Sequence, residues 1–191
     1  MTPAPQSANI GSSSAGHAIS GAIAGCLDSC AQARTLVNAL TAEQYGHAEN
    51  GQSSIGAHMR HCLDHFLCFF RGLEDDEINY DARERNAALE SDPAVFHRVM
   101  NDIANSLTGL DGSDLSRQVM MRQIPAPGFD PIRVKTTVDR ELLFLMSHCI
   151  HHVAVVKVMA RAMGVAMPGD VGVAYSTVAW KNSGGNGSQS S

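Results

Sequence analysis

The sequence predicts an all-α protein built as a four-helix bundle, with a short β-hairpin before the last helix as an optional addition. Three observations predict this class. Apolar residues recur at helical spacing in four segments, residues typical of helix starts and ends bound those segments, and turn-rich stretches separate them. Four amphipathic helices of this length are typical of a bundle that buries its apolar faces in one core.

The first helix is predicted from one apolar stripe at helical spacing, formed by Ile19, Ile23, Cys26, Leu27, Cys30, Leu36, Val37 and Leu40. Directly after it, Thr41 and Gln44 have the spacing of a capping box. A short additional helical turn is therefore expected at this point.

The second helix follows a polar stretch at 46–54, where Ser53 or Ser54 is the predicted N-cap. Its apolar face consists of Ile55, Met59, Cys62, Leu63, Phe66, Phe70 and Leu73. A run of this length at helical spacing predicts about five turns of helix.

The third helix opens at 91–93, where Ser-Asp-Pro combines an N-cap with an early proline, and its apolar face extends to Leu110. The fourth helix follows the threonines at 136–137 and extends to about Met163, with Gly164 as its stop signal. Between these helices, β-prone runs at 117–124 and 131–137 flank a Pro-rich turn and predict the hairpin.

One domain, 17–181, is predicted between two tails. Residues 1–16 and 182–191 are rich in Ser, Gly, Pro and Asn and bury too little to offset the entropy of ordering them, so both are expected to be disordered. Tyr175 and Trp180 are expected to attach the C-terminal segment of the domain to the bundle.

The composition narrows the function classes. The 191 residues are 44% hydrophobic and carry a net charge of −5, with no cluster of Lys and Arg, which argues against nucleic acid or an anionic membrane as a partner. No uninterrupted apolar stretch has the ~20 residues of a membrane span, and no signal peptide is apparent. A cytoplasmic location is expected.

The five cysteines are predicted to be reduced and buried. Their number is odd, none forms a C-x-x-C pair, and each lies in an apolar-periodic stretch. Cys62 and Cys149 are sequence neighbours of histidines, but one helical step rotates them about 100° toward the core. They are therefore interpreted as packing residues and not as metal ligands.

The unusual feature of the composition is its nine histidines, six of which lie in two short segments, 58–65 and 148–152. On a helical wheel, the histidines of the second helix follow one flank of its apolar face: His58, His61 and His65. On the fourth helix, His148 and His152 lie one turn apart on one flank, in line with Glu141, whereas His151 points away.

Two imidazoles one turn apart can share a metal ion, and a histidine from the second helix would complete a three-His site. The wheel places His58 and His65 nearer the core than His61, so the residues alone leave the third ligand open. The alternative interpretation is a set of surface histidines without a metal, which explains one or two histidines better than two clusters.

Three segments carry a resemblance to a known family: SIGAHMRHCLDHF at 54–66, INYDARER at 78–85 and RELLFLMSHCIHHVAVV at 140–156. With them, the chain resembles the DinB-like (DinB/YfiT) family of metalloenzymes. The resemblance implies a four-helix bundle of up-down-down-up topology and a divalent ion held by three histidines. It assigns His61, His148 and His152 as ligands, with His65 as the first substitute.

The resemblance implies a metal-dependent enzyme that activates a water or a thiol, either a hydrolase or a thiol S-transferase. Its substrate would be a small molecule, for a transferase together with a low-molecular-weight thiol. Zinc or nickel is the expected ion and iron an alternative, because three imidazoles suit several divalent metals. The remaining hypotheses are a non-catalytic metal- or ligand-binding stress protein and a metal-free helical interaction module. A homodimer through a bundle face is a further expectation.

Two polar groups accompany the predicted ligands. Glu141 is a candidate general base or a partner to an imidazole N–H, and the alternative is a surface ion pair with Arg140. The loop residues Tyr80, Asp81, Arg83 and Arg85 suit binding of an anionic substrate group, but an ion-pair network that anchors the loop is the favoured interpretation.

Overall fold

The computed structural model describes residues 20–48 and 51–183, so the predicted tail at 1–16 and most of the tail at 182–191 lie outside the described residues. The described residues form seven α-helices, a 3₁₀ turn at Gly112–Asp114 and three strands: α1 (Gly21–Asn38), α2 (Ala42–Gly46), α3 (Ile55–Glu74), β1 (Glu77–Asn79), α4 (Ala88–Ser91), α5 (Pro93–Thr108), β2 (Gln118–Gln123), β3 (Ile132–Thr137), α6 (Val138–Ala162) and α7 (Tyr175–Asn182). The fold is mostly helical with one small sheet.

The four long helices, α1, α3, α5 and α6, are the four that the apolar periodicity predicts. Both α1 and α3 pack against α5 and against α6. Their apolar faces bury one continuous core whose largest side chains include Leu36, Phe66, Phe69, Phe96 and Met100. The mostly helical character is confirmed, with a small sheet beside the helices, while the up-down-down-up order of helix directions stays a prediction.

Side-chain caps begin these helices where the sequence indicates. Ser54 accepts a hydrogen bond from the backbone N–H of Ala57 at the start of α3, and Asp92 caps α5 ahead of Pro93. Thr41 and Gln44 form the complete capping box of α2. Because a cap satisfies backbone donors that the first turn leaves free, these polar residues set where each helix starts.

The sheet is larger than the predicted hairpin. β2 and β3 pair antiparallel, from Gln118 opposite Thr137 to Gln123 opposite Ile132, which confirms the hairpin. β1 adds a third strand, parallel to β2, that the sequence did not predict. A strand of three residues has no measurable alternation of its own, so only pairing with a strand distant in sequence reveals it.

The C-terminal segment is fixed to the bundle by polar contacts. Lys157 Nζ on α6 donates to the carbonyl oxygens of Gly169 and Val171 at 2.7 and 2.8 Å. Tyr175 O–H lies 2.6 Å from a carboxylate oxygen of Asp28 on α1, as expected for an anchor. The same expectation for Trp180 is wrong, since its side chain is 60% exposed.

By length and composition alone, α6 is long and apolar enough to cross a membrane. A core helix of a bundle passes the same test. Leu142, Leu145, Val153 and Val156 of α6 are buried in the core, which accounts for part of its apolar character, whereas Leu143 and Val158 are exposed.

All five cysteines are free and buried, as predicted. Cys62 and Cys149 are at most 1% exposed and lie within the apolar core. A hydrogen bond with the Cys149 thiol, together with burial, raises the pKa of Cys62, so this thiol stays protonated. These observations support the interpretation of Cys62 and Cys149 as packing residues.

Candidate metal centre

Five imidazole rings gather between α3 and α6, and they come from both predicted histidine segments: His58, His61, His65, His148 and His152. Their neighbouring ring centroids are 4.3 to 5.4 Å apart, the shortest separation being between His65 and His148. Such a cluster forms because α3 and α6 pack side by side with their histidine flanks facing each other. The predicted convergence of the two segments is therefore present.

Three residues of this cluster could hold a metal ion together: His61, His65 and His148. Each offers one ring nitrogen, and these three nitrogen atoms lie within 4.8 Å of one another. The His65 ring is oriented by its own helix, since Nδ1 lies 2.8 Å from the carbonyl oxygen of His61. Nδ1 must donate in that contact, which leaves Nε2 of His65 with a free lone pair.

His148 supplies the test of whether a metal ion fits here. Its Nε2 is buried and has no hydrogen-bond partner among the described residues. A buried polar atom without a partner costs free energy, and an ion bound to its lone pair would supply that partner. Three neutral imidazoles with one unpartnered nitrogen are a donor set that suits a divalent transition metal.

His152, the third ligand assigned by the resemblance, belongs to the cluster but has another contact. Its ring centroid lies 4.8 Å from that of His61 and 4.6 Å from that of His148. Its Nδ1, however, lies 3.2 Å from Nδ1 of His58, so these two rings share a hydrogen bond. His151 is exposed, as the helical wheel predicts.

The environment keeps these histidines neutral. Burial, reinforced by the neighbouring imidazoles, lowers the pKa of His61 and of His148 to about 3 and that of His152 to about 4. Burial also lowers the pKa of His65 and His58. Neutral imidazoles have the lone pairs that metal ligation requires, so at pH 7 His65 and His148 can bind an ion without losing a proton first.

The lowered pKa values predict how the stability of the metal-free chain depends on pH. Because unfolded histidines have a pKa near 6.5, the unfolded chain takes up more protons than the folded one between about pH 6.5 and 3, and folding weakens as the pH falls through that window. The urea midpoint should fall between pH 7 and pH 5. It should fall less in a His61→Gln, His148→Gln double variant, and an equal fall in both proteins would contradict the prediction.

Arg83 is a site residue whose role the sequence did not establish. Its Nη1 lies 2.5 Å from Nδ1 of His61 and must donate to it, because a guanidinium has no acceptor. The loop that carries Arg83 is held in place on either side, since Asp81 accepts from the backbone N–H of Ile124 and the Ala82 carbonyl accepts from Arg71. The side chain of Arg83 is thereby aimed at the cluster.

Glu141, the candidate general base, is completely buried rather than at the surface. One carboxylate oxygen accepts from Tyr80 O–H at 2.8 Å, and the other accepts from Thr136 and Arg140 at 2.7 and 2.8 Å. The expected pair with Arg140 is present, but no hydrogen bond joins Glu141 to a histidine among the described residues. Tyr80 links it to the cluster, because the Tyr80 ring stacks on His65 with centroids 5.3 Å apart.

Comparison with known proteins gives the context of this site. Residues 29–156 match the model of the DinB superfamily, a span that includes α3, the loop carrying Arg83 and all of the clustered histidines. Two solved structures from Bacillus subtilis share the fold. A DinB-like protein, YjoA, has a TM-score of 0.58 and 17% identity over 78% of this chain and 95% of its own.

The second structure is YfiT, described as a "probable metal-dependent hydrolase with an unusual four-helix bundle topology". Its TM-score is 0.57, with 16% identity over 78% of this chain and 93% of YfiT. At such identities the two structures establish the fold and no activity. Among curated proteins, FK506-binding protein 5 of Rhizopus delemar is 28% identical over 104 residues. That match covers 53% of this chain but only 26% of the fungal protein.

Proposed function

Because the chain belongs to the DinB superfamily, we propose that it is a metal-dependent hydrolase whose divalent ion is held by histidines of α3 and α6. The observation that carries the proposal is the convergence of ligand atoms from His61, His65 and His148, one of which is a buried nitrogen without a partner. The description of YfiT as a "probable metal-dependent hydrolase" supports the choice of reaction class.

His61 and His148 are common to the ligand set that the resemblance implies and to the set of converging atoms. To bind an ion, His61 would first have to release Arg83 from its Nδ1, because the neutral ring has one lone pair and Arg83 occupies it. For the third ligand we favour His65, because the bond from its Nδ1 to a backbone carbonyl directs Nε2 toward the other two rings. His152 is the alternative third ligand, and it would first have to give up its contact with His58.

When bound, a zinc or nickel ion would lower the pKa of a water toward ~7 and make it a nucleophile for a carbonyl or similar centre of a small-molecule substrate. The chain's own residues would orient this chemistry. Tyr80 holds the ring of His65 by stacking, and Glu141 fixes Tyr80 by accepting a hydrogen bond from its O–H group. We therefore propose Glu141 as a positioning residue that acts through Tyr80, in place of a general base.

Metal analysis combined with an activity screen tests the proposal. Protein purified without a His tag should carry about one zinc or nickel ion per chain. It should hydrolyse members of an ester and amide panel, lose that activity on chelation and regain it when the metal is restored. Absence of an ion after incubation with Zn²⁺ and Ni²⁺ would refute the proposal. A bound ion without turnover would favour the non-catalytic binding protein.

The same proposal includes a compartment. Five free, buried thiols suit a reducing environment, and we propose the cytoplasm as the location.

A further inference from the structure

Arg83 lies near the buried carboxyl of Asp64 but forms no ion pair with it. Among the residues that the structure describes, its only hydrogen-bond partner is the neutral ring of His61, and it forms no ion pair. Its Nε is buried and unpartnered. Burying a guanidinium without an opposite charge costs free energy, so a site built this way favours an anionic ligand.

Other arginines of this region show the contrast. Arg60, on the same helix as His61, pairs with Glu90 and lies 3.8 Å from Asp64. Arg71 pairs with Glu84 of the loop, whereas no ion pair among the described residues includes Asp81, Arg83 or Arg85. Burial raises the pKa of Asp64, and the nearby charges of Arg60 and Arg83 oppose that rise. The salt-bridge partner of Asp64, however, is Arg60. Arg83 therefore takes part in none of the ion pairs of this region.

The geometry of Arg83 also matches a ligand with two oxygens. A guanidinium presents two forks of N–H donors, one of which includes Nε. Nη1 is used by His61, whereas Nε has no partner but is buried, so a carboxylate or phosphate would reach the edge containing Nε in paired geometry only as the atoms that cover Nε give way. Such an anion would be held by the same guanidinium that contacts His61 through Nη1, which places it near the proposed ion.

We propose that Arg83 forms an anion-binding subsite next to His61, which recognises a carboxylate or phosphate group of the substrate. The inference that the subsite lies beside the reacting group rests on the proposed function. The guanidinium of Arg83 is present in the site whether or not an ion is bound. With this subsite, the substrates would be small anionic molecules. Arg83 would hold the anionic group, and the reacting bond would be directed toward the three histidines.

Calorimetric titration with two probe anions, inorganic phosphate and acetate, tests this subsite. Metal-loaded wild-type protein should bind at least one of them, and the preferred anion identifies the group. Arg83→Gln should weaken that binding at least about tenfold, and Arg83→Lys should weaken it less, because lysine keeps the charge and loses the fork. Arg85→Gln is the matched control, since Arg85 is exposed on the same loop. It should stay within about twofold of wild type.

Three results would overturn the subsite: no binding of either anion to wild type, Arg83→Gln binding as tightly as wild type, or equal losses in Arg83→Gln and Arg85→Gln. Metal content is measured in every variant, and the titration is repeated on metal-free chains. A wild-type chain that takes up no ion refutes the proposed function. The subsite then stands if phosphate or acetate binding to the metal-free chain depends on Arg83, and it falls if that binding does not.

Discussion

A His148→Ala variant is expected to lose nearly all of the divalent ion that the wild-type chain binds. His148 contributes the buried Nε2 that has no other partner, and it belongs to every ligand set considered for this site. Loss of an outer partner of a ligand alone typically costs 10–100-fold in metal affinity, so removal of a ligand should cost more than about 100-fold. Elemental analysis after dialysis against a weak chelator measures the effect.

His151→Ala is the matched control, because His151 adjoins the cluster in sequence and is exposed. It should retain the wild-type metal content. His65→Ala and His152→Ala then identify the third ligand, since only the variant that removes a ligand should reproduce the loss seen with His148→Ala. Full metal content in His148→Ala would refute the proposed site, whatever the other variants do.

Gly56→Ala is expected to destabilise the fold strongly. Gly56 lies in the first turn of α3, and a Cβ atom at this position would approach the carbonyl oxygen of Glu90 to 1.9 Å. A backbone atom cannot rotate away as a side chain can, so α3 and α4 would have to separate. Overpacking costs typically 1–3 kcal/mol, and we expect about 3 kcal/mol or more here, measured by urea denaturation of the metal-free chain.

Gly21→Ala provides the comparison for this prediction. Gly21 is the first residue of α1, and a Cβ there would meet nothing within 4 Å. Alanine should leave the stability unchanged or raise it by up to about 1 kcal/mol, because it restricts the unfolded chain and favours helix. Similar urea midpoints for the two variants would show that α3 and α4 are not packed as closely as described.

Much of the fold could be predicted because helix signals are local. Ser54, one of two candidate caps of its helix, and Asp92 could be identified from the sequence. The Ser54 hydroxyl oxygen accepts from the N–H group three residues ahead, and the Asp92 carboxylate accepts from the one two residues ahead. The strand β1 has no such signal. Its pairing partner β2 lies about 40 residues later, and three residues are too few for a pattern.

The site shows the same division. Helical geometry alone places His148 and His152 on one flank and His151 outside, because positions on one helix have known angles. It does not determine which nitrogen atoms meet. Tertiary packing turns His152 toward His58 and brings His65 to His61 and His148, and this choice depends on side-chain orientations across two helices.

The loop at 80–85 illustrates contacts that no local pattern contains. The favoured interpretation was an ion-pair network of Tyr80, Asp81, Arg83 and Arg85, but the ion pair that the described part of this loop forms joins Arg71 to Glu84. Arg83 instead reaches His61, 22 residues earlier, and Tyr80 reaches Glu141, 61 residues later. Partners at such distances in sequence are set by how α3, β1 and α6 pack.

The sequence by itself determined the helical class, the helix starts and a surplus of histidines on one flank of each of two helices, because each of these follows from residue spacing along one element. Only the tertiary structure decided which imidazoles converge, that Glu141 is buried behind Tyr80 and that Arg83 contacts His61 without forming an ion pair among the described residues. Those features depend on atoms from separate elements approaching within a few ångströms, which spacing along one chain segment does not specify.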